Sequence, residues 1–238
     1  MPENSSLAKK TSKKHQPSGM KILYEDKEII VVDKSHGLLT IGSESEREKT
    51  AYFFLNNYVK KGNSKSKNRI FIVHRLDRDT SGVLVFAKSE ISKIYLQEEW
   101  KNFSKIYYAI VSGKLKEKNG VLTSYLLENK AHIMYSTNNF TEGKLAQTAY
   151  KVIKESSNCS LLEINLLTGR KNQIRVHFSE LGNPVLGDKI YGKLNNGIKR
   201  LALHAASLTI VHPFTKKKMT FNTELPLYFQ TLIKFKID

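Results

Sequence analysis

The sequence predicts an α+β fold built on a largely antiparallel sheet, and three observations carry that expectation. Short runs rich in β-branched and aromatic residues outnumber stretches with helical spacing. Strand and helix do not alternate in the regular way that builds a parallel sheet. Neither an internal repeat nor an inner linker divides the 238 residues into two units.

The elements follow in order. Residues 1–19 are polar, with four lysines against one glutamate, and are expected to form a disordered basic tail ahead of one folded domain over 20–238. Lys21–Asp26 and Lys27–Lys34 read as strands, the second carrying β-branched residues from Ile29 to Val32. Thr50–Lys61 has helical spacing, with Gly62 as its C-cap, and residues 62–69 (GNSKSKNR) form a basic loop. Ile70–Val73 and Gly82–Ala87 read as buried strands on either side of a charged turn. Ser89–Lys101 is a predicted helix, N-capped by Ser89, with Ile91, Ile94 and Tyr95 on one face. Strands are expected over Lys105–Gly113, Gly120–Leu127, Ala146–Ser156 and Ser160–Leu167. Asn172–Leu181 reads as a helix with Ile174, Phe178 and Leu181 on one side and Gly182 as its cap. A late strand pair, Leu201–Pro213 and Lys218–Glu224, precedes a closing helix within Pro226–Phe235.

Composition narrows the function classes. With 40% hydrophobic and 26% charged residues the chain is ordinary for a soluble protein. No apolar run approaches the roughly 20 residues of a membrane span, and no apolar segment of a signal peptide opens the chain. A cytoplasmic protein without a membrane partner is therefore expected. The lone cysteine, Cys159, excludes an intramolecular disulfide and a cysteine-based zinc cluster, and its strand-like surroundings predict a buried, inert thiol. The net charge is +17, and only +3 of it lies in residues 1–19, so the body of the protein is basic. A nucleic-acid partner fits better than a membrane, because no basic amphipathic helix is evident.

Two stretches can carry chemistry. Residues 74–82 (HRLDRDTSG) place His74, Arg75, Asp77, Arg78 and Asp79 between two apolar strands. By themselves they admit a strand-to-strand turn with surface ion pairs. They equally admit a rigidly held carboxylate, kept ionised by neighbouring arginines, that acts as nucleophile or base. His74 taken alone reads as a structural histidine. Residues 166–188 (LLTGRKNQIRVHFSELGNPVLGD) gather Arg170, Lys171, Arg175 and His177 at a strand-to-helix junction. Free backbone N–H groups there favour anions. A solvated basic helix face is the competing reading.

Taken with VVDKSHGLLT (31–40), KIYYAIVSG (105–113), AQTAYKV (146–152) and the late LALHAASLTIVHPFTKKKMTF (201–221), these stretches resemble the RluA family of RNA pseudouridine synthases. The resemblance runs from about Lys21 to Phe221. It implies a mixed sheet with flanking helices and a catalytic cleft, without the small S4 domain that precedes it in many relatives. It also implies Asp77 as nucleophile, Tyr107 as the ring that stacks on the uracil and takes part in proton transfer at C5, and Arg175 as the partner of Asp77. Arg75 is implied to help flip the base and Ile174 to pack beside it, with His74 and Arg170 also at the substrate. No metal or cofactor is implied; the partner is ribosomal or transfer RNA. A monomer is expected, since no coiled coil or repeated apolar face is evident.

The chain departs from the family pattern at Ser35, where proline is usual, and at Asn172, where histidine is usual; altered RNA contacts with intact chemistry are expected. The alternative is a non-catalytic RNA-binding or ribosome-assembly protein that retains the fold. A glycosidase using Asp77 and Asp79 is disfavoured, because carboxylates two residues apart do not readily bracket a sugar.

Overall fold

The computed structural model describes residues 16–42, 44–192 and 198–233. Residues 1–15 of the expected tail lie outside them. From residue 16 the chain is already engaged, since Met20 N–H donates to Pro17 O and Ser35 N–H to Gly19 O at 2.9 Å. A proline at position 35 could not donate that second bond.

Strands β1 (Met20–Glu25) and β2 (Ile29–Lys34) form an antiparallel hairpin. Its turn is closed by Asp26, whose Oδ1 accepts the N–H groups of Glu28 and Ile29, both at 2.8 Å. Helix α1 (Ala51–Lys60) starts at Thr50, whose hydroxyl accepts the Phe53 N–H at 3.1 Å. It ends at Lys60, two residues before Gly62, and the cap is Lys61 rather than the expected Gly62, with Lys61 left-handed at φ 50°.

β3 (Phe71–Ile72) is shorter than the expected 70–73 and pairs antiparallel with the end of β4 (Ser81–Ala87). Residues 73–80 are therefore a long excursion rather than a tight turn. Helix α2 (Glu90–Glu98) is capped by Ser89 and continues into a 3-10 turn at Glu99–Asn102. Its face differs from the expected one. Ile91 is 82% and Ile94 47% exposed, whereas Ser92 and Leu96 face inward. The inward choice follows from Glu28, which accepts the Ser92 hydroxyl at 2.5 Å, while Leu96 enters the core one turn later.

The remaining strands are β5 (Ser104–Ser112), β6 (Asn119–Glu128), β7 (Met134–Thr137), β8 (Lys144–Glu155), β9 (Cys159–Leu166), β10 (Leu203–Val211) and β11 (Lys218–Asn222), with helices α3 (Gln173–Glu180) and α4 (Leu227–Ile233). Together the described strands make one eleven-stranded sheet in the order β1-β2-β4-β10-β5-β9-β8-β6-β7, with β3 on β4 and β11 on β10. Among the paired strands of the described residues, only β4 and β10 run parallel. This is the mixed, mostly antiparallel α+β architecture the sequence predicts. In α3, Ile174 and Phe178 are buried as expected, but Leu181 is 45% exposed beyond the helix end.

β2 and β4 are buried on both faces, which is why they read as unbroken apolar runs. Ile30, Val32, Leu84 and Phe86 pack beneath α1, and Ile29, Val31, Val83 and Val85 pack on the opposite face with Leu96 of α2. A third cluster joins β5 and β9 to α3 and α4. Tyr107 packs against this cluster and the one beneath α1, so it sits at their seam. Cys159 is buried, as its strand position predicts.

Candidate active site

The seam opens into a pocket of about 370 Å³, walled by the 73–77 segment, Trp100, Lys105, Tyr107 and residues 169–175. Its carboxylate arrives on the excursion between β3 and β4, which is pinned from behind by residues 34–40. Thr40 bonds Leu76 twice, its hydroxyl donating to Leu76 O at 2.8 Å and accepting Leu76 N–H at 3.1 Å. The fully buried Lys34 ammonium donates to Ser35 O, Leu38 O and Arg78 O. Burial draws its pKa down to about 8, against the attraction of Asp77, Asp79 and Asp33. The excursion ends at Gly82, where β4 meets β10. There φ is +116° and an added Cβ would lie 2.1 Å from Ala205 O, so glycine is required.

Asp77 retains 25% exposure and accepts from Arg175 Nη1 at 3.2 Å. Arg175 comes from the first turn of α3, 98 residues along the chain, and is 8% exposed. Most of its guanidinium is already engaged: Nε and Nη2 clasp Asp188 at 2.7 and 2.8 Å. The Asp188 side chain is wholly buried, and its Oδ1 also accepts the N–H groups of Ile190 and Tyr191. Burial works against ionisation of Asp188, but these bonds and the Arg175 charge outweigh it and hold its carboxyl below the usual range. Burial likewise opposes the Arg175 charge, and the two carboxylates more than offset it. The Tyr191 ring lies 5.0 Å from the guanidinium carbon. Gly187, at φ +74° and against Arg200 O, lets the chain deliver Asp188 into this space.

Asn172 belongs to the same arrangement. It takes the left-handed conformation at φ 54°, which asparagine tolerates, accepts from Arg175 Nη1 at 3.2 Å and donates to the Tyr191 hydroxyl at 3.1 Å. Tyr107 lines the pocket, and burial followed by the Asp77 charge drives its phenol well above 10, so it stays protonated. Ile174 is buried in the wall, and Arg75 is exposed at the rim.

His74 lines the pocket with its ring 4.2 Å from that of Trp100. Its Nε2 accepts the Val85 N–H at 3.2 Å, and burial, then the Lys105 charge, draws its pKa down to about 3. Arg170 also lines the pocket, its Nε donating to Leu145 O at 2.9 Å. The fourth member of the expected basic cluster, His177, does not face the pocket. It is buried between Thr148 and Ser124 and kept neutral by burial, with Glu180 only partly opposing. Lys171 pairs with Glu128 at 2.6 Å. Asp188, Tyr191, Lys105 and Trp100 had no assigned part in the sequence reading. Asp188 and Lys105 lay inside quoted stretches, but the spacing showed no partner for either.

Comparison with known proteins bears on this geometry. The family model for RNA pseudouridylate synthase matches residues 28–180, a span that holds the Asp77 excursion, β5 and α3. The chain belongs to the RNA pseudouridylate synthase family. It is 35% identical, over 91% of its length and 74% of the relative's, to ribosomal large subunit pseudouridine synthase D of Borreliella burgdorferi. It is 33% identical, over 90% of its length and 70% of the relative's, to an uncharacterized RNA pseudouridine synthase of Mycoplasma genitalium. Among solved structures, human RNA pseudouridylate synthase domain containing 4 superposes with a TM-score of 0.72 at 25% identity, covering 87% of this chain and 89% of the other. As an RNA pseudouridine synthase the chain is an isomerase, and the catalytic reading prevails over a non-catalytic RNA-binding one. Among the described residues no cluster of three or more His, Cys, Asp and Glu side chains could hold a metal ion. Nor is any helix long and apolar enough to cross a membrane.

Proposed function

We propose that this pseudouridine synthase uses Asp77 as nucleophile, on a uridine flipped into the Tyr107 pocket, and that its substrate is ribosomal RNA. The observation that carries the reading is the Asp77–Arg175 contact at 3.2 Å on the wall of a pocket of about 370 Å³, room enough for a flipped-out nucleotide. Two relatives named for the ribosomal large subunit support the choice of RNA; transfer RNA is the runner-up. The protein acts as a cytoplasmic monomer.

Isomerisation breaks the N1–C1′ bond, turns the uracil and rejoins it to C1′ through C5, with loss of the C5 proton. Asp77 attacks C1′ or removes a sugar proton to give a glycal; either route needs an ionised carboxylate with a free oxygen. Because Arg175 spends its two-pronged edge on Asp188, only Nη1 reaches Asp77, so the Asp77 charge is balanced without both oxygens being locked. Stacking on Tyr107 offsets part of the cost of unstacking the target base, by about 1–3 kcal/mol. The protonated Tyr107 phenol then serves as a relay, taking the C5 proton while passing its own to Asp77. Ile174 packs beside the base, Arg75 holds the flipped-out position, and Arg170 contacts the RNA backbone. His74, neutral and bonded to Val85, shapes the wall beside the base.

The test is tritium release from C5-labelled ribosomal and transfer RNA transcripts. Release by wild type and none by Asp77→Asn, with RNA binding unchanged, is the expected outcome. Turnover by the Asn variant near wild type would remove Asp77 from its role.

A further inference from the structure

A second and larger concavity, about 1200 Å³, lies between α1, the 3-10 segment Glu44–Lys49 that precedes it, and residues 66–69. It does not overlap the pocket just described. The turn that carries Asp77 separates the two: Arg78, the next residue, pairs with Glu46 on the rim of the larger cleft at 2.6 Å. The cleft is thus one residue and one side chain away from the nucleophile.

Its lining is basic. Arg47 and Lys49 approach from one side, and Lys67 and Arg69 from the other, all four exposed, with Lys60 at the end of α1. Of the two lining carboxylates, Glu46 is already taken by Arg78. Between the two basic rims sit Tyr52 and Phe53, each only partly buried, and the amides of Asn56, Asn57 and Asn68. Cations flanking an aromatic floor with amide side chains form a surface for a single nucleic-acid strand, where phosphates meet charge and bases meet rings. A duplex offers no free base face to such a floor. The volume exceeds the roughly 300–1,000 Å³ of an ordinary small-molecule site and accommodates more than one nucleotide.

We infer that this cleft binds the single-stranded RNA flanking the target uridine, with phosphates on Arg47, Lys67 and Arg69 and a base on Phe53. The segment leaves the Asp77 pocket past Arg78 and enters the cleft. The contact supplies affinity for extended RNA and no part of the isomerisation.

The test uses the full chain and a fluorescein-labelled twelve-residue oligouridylate, with the dissociation constant measured from 50 to 300 mM KCl. Removing three phosphate contacts in Arg47→Ala/Lys67→Ala/Arg69→Ala should flatten the slope of log affinity against log salt by about 2. The control Lys114→Ala/Lys116→Ala/Lys151→Ala, with equal charge loss elsewhere on exposed surface, should leave the slope within error of wild type. Phe53→Ala should weaken binding roughly tenfold without changing the slope. With a long RNA substrate, the cleft triple variant should raise KM and leave kcat unchanged. Equal flattening by both triple variants would show only a diffuse basic field and overturn the assignment. So would an unchanged slope in the cleft variant. Because binding is read without turnover, either failure is separable from failure of the Asp77 reading.

Discussion

Asp188 holds the guanidinium that reaches Asp77, the carboxylate proposed as nucleophile. Removing its charge leaves Arg175 buried beside a neutral group, and breaking such a pair costs about 3–5 kcal/mol. Asp188→Asn is therefore expected to lower the urea midpoint sharply and to reduce kcat. The double variant Arg175→Met/Asp188→Leu, which removes both charges, should recover most of the stability and none of the turnover. Persistent instability of the double variant would show that packing, not the unpaired charge, is responsible. Tyr107→Phe retains the ring but loses the hydroxyl, so RNA affinity should hold while tritium release slows by at least tenfold. Asp77, Tyr107 and Arg175 were singled out together only through the resemblance to the RluA family, since the residues alone left a surface turn and a solvated helix face open, and the fold brings all three to one pocket. The clasp of Asp188 was not legible: nothing in the spacing shows that Arg175 divides its donors between two carboxylates. His177 was misread for the opposite reason, since its sequence neighbours are basic but its spatial neighbours are hydroxyls in the interior.

At the level of elements, the parallel junction of β4 with β10 is the most exacting feature. Gly82→Ala would press a methyl group onto the Ala205 backbone at a φ that L-residues rarely adopt. The expected result is loss of more than about 4 kcal/mol or failure to fold, checked by urea unfolding and circular dichroism. Gly62→Ala, where no atom lies within 4 Å of the added carbon, should cost far less and only through its φ of +76°. Period-two burial and caps made most strands and helices readable. β2 and β4 were recognisable as apolar runs, and Thr50 and Ser89 as helix starts. The four-residue β7 escaped because Met134–Thr137 is half exposed and joins the sheet edge through β6 alone. The α2 face was misassigned because a buried serine, satisfied by Glu28, carries no hydrophobic signal.

Across the whole molecule, two histidines held neutral, buried His204 and half-buried His74, tie stability to pH. His204 lies between the hydroxyls of Ser81 and Thr223, and burial, then the Arg200 charge, draws its pKa down to about 4; His74 falls to about 3. Unfolded, each takes up a proton near pH 6.5, whereas the folded chain resists until pH 4 or below. The unfolded state therefore binds more protons as pH falls, and the stability present above pH 6.5 is lost on acidification. A loss of about 2–3 kcal/mol per histidine is expected between pH 7.5 and 4.5. Urea titrations at the two pH values check this; equal midpoints would contradict it. The order of the strands has a consequence in time. β4 and β5 are made early, but the strand that lies between them, β10, begins only at Leu203. On the ribosome, Asp77, Tyr107 and Arg175 all leave the exit tunnel before the strand that joins β4 to β5. A nascent chain that already carries all three pocket residues is therefore expected to lack the assembled pocket, and with it turnover, until β10 has emerged through Val211.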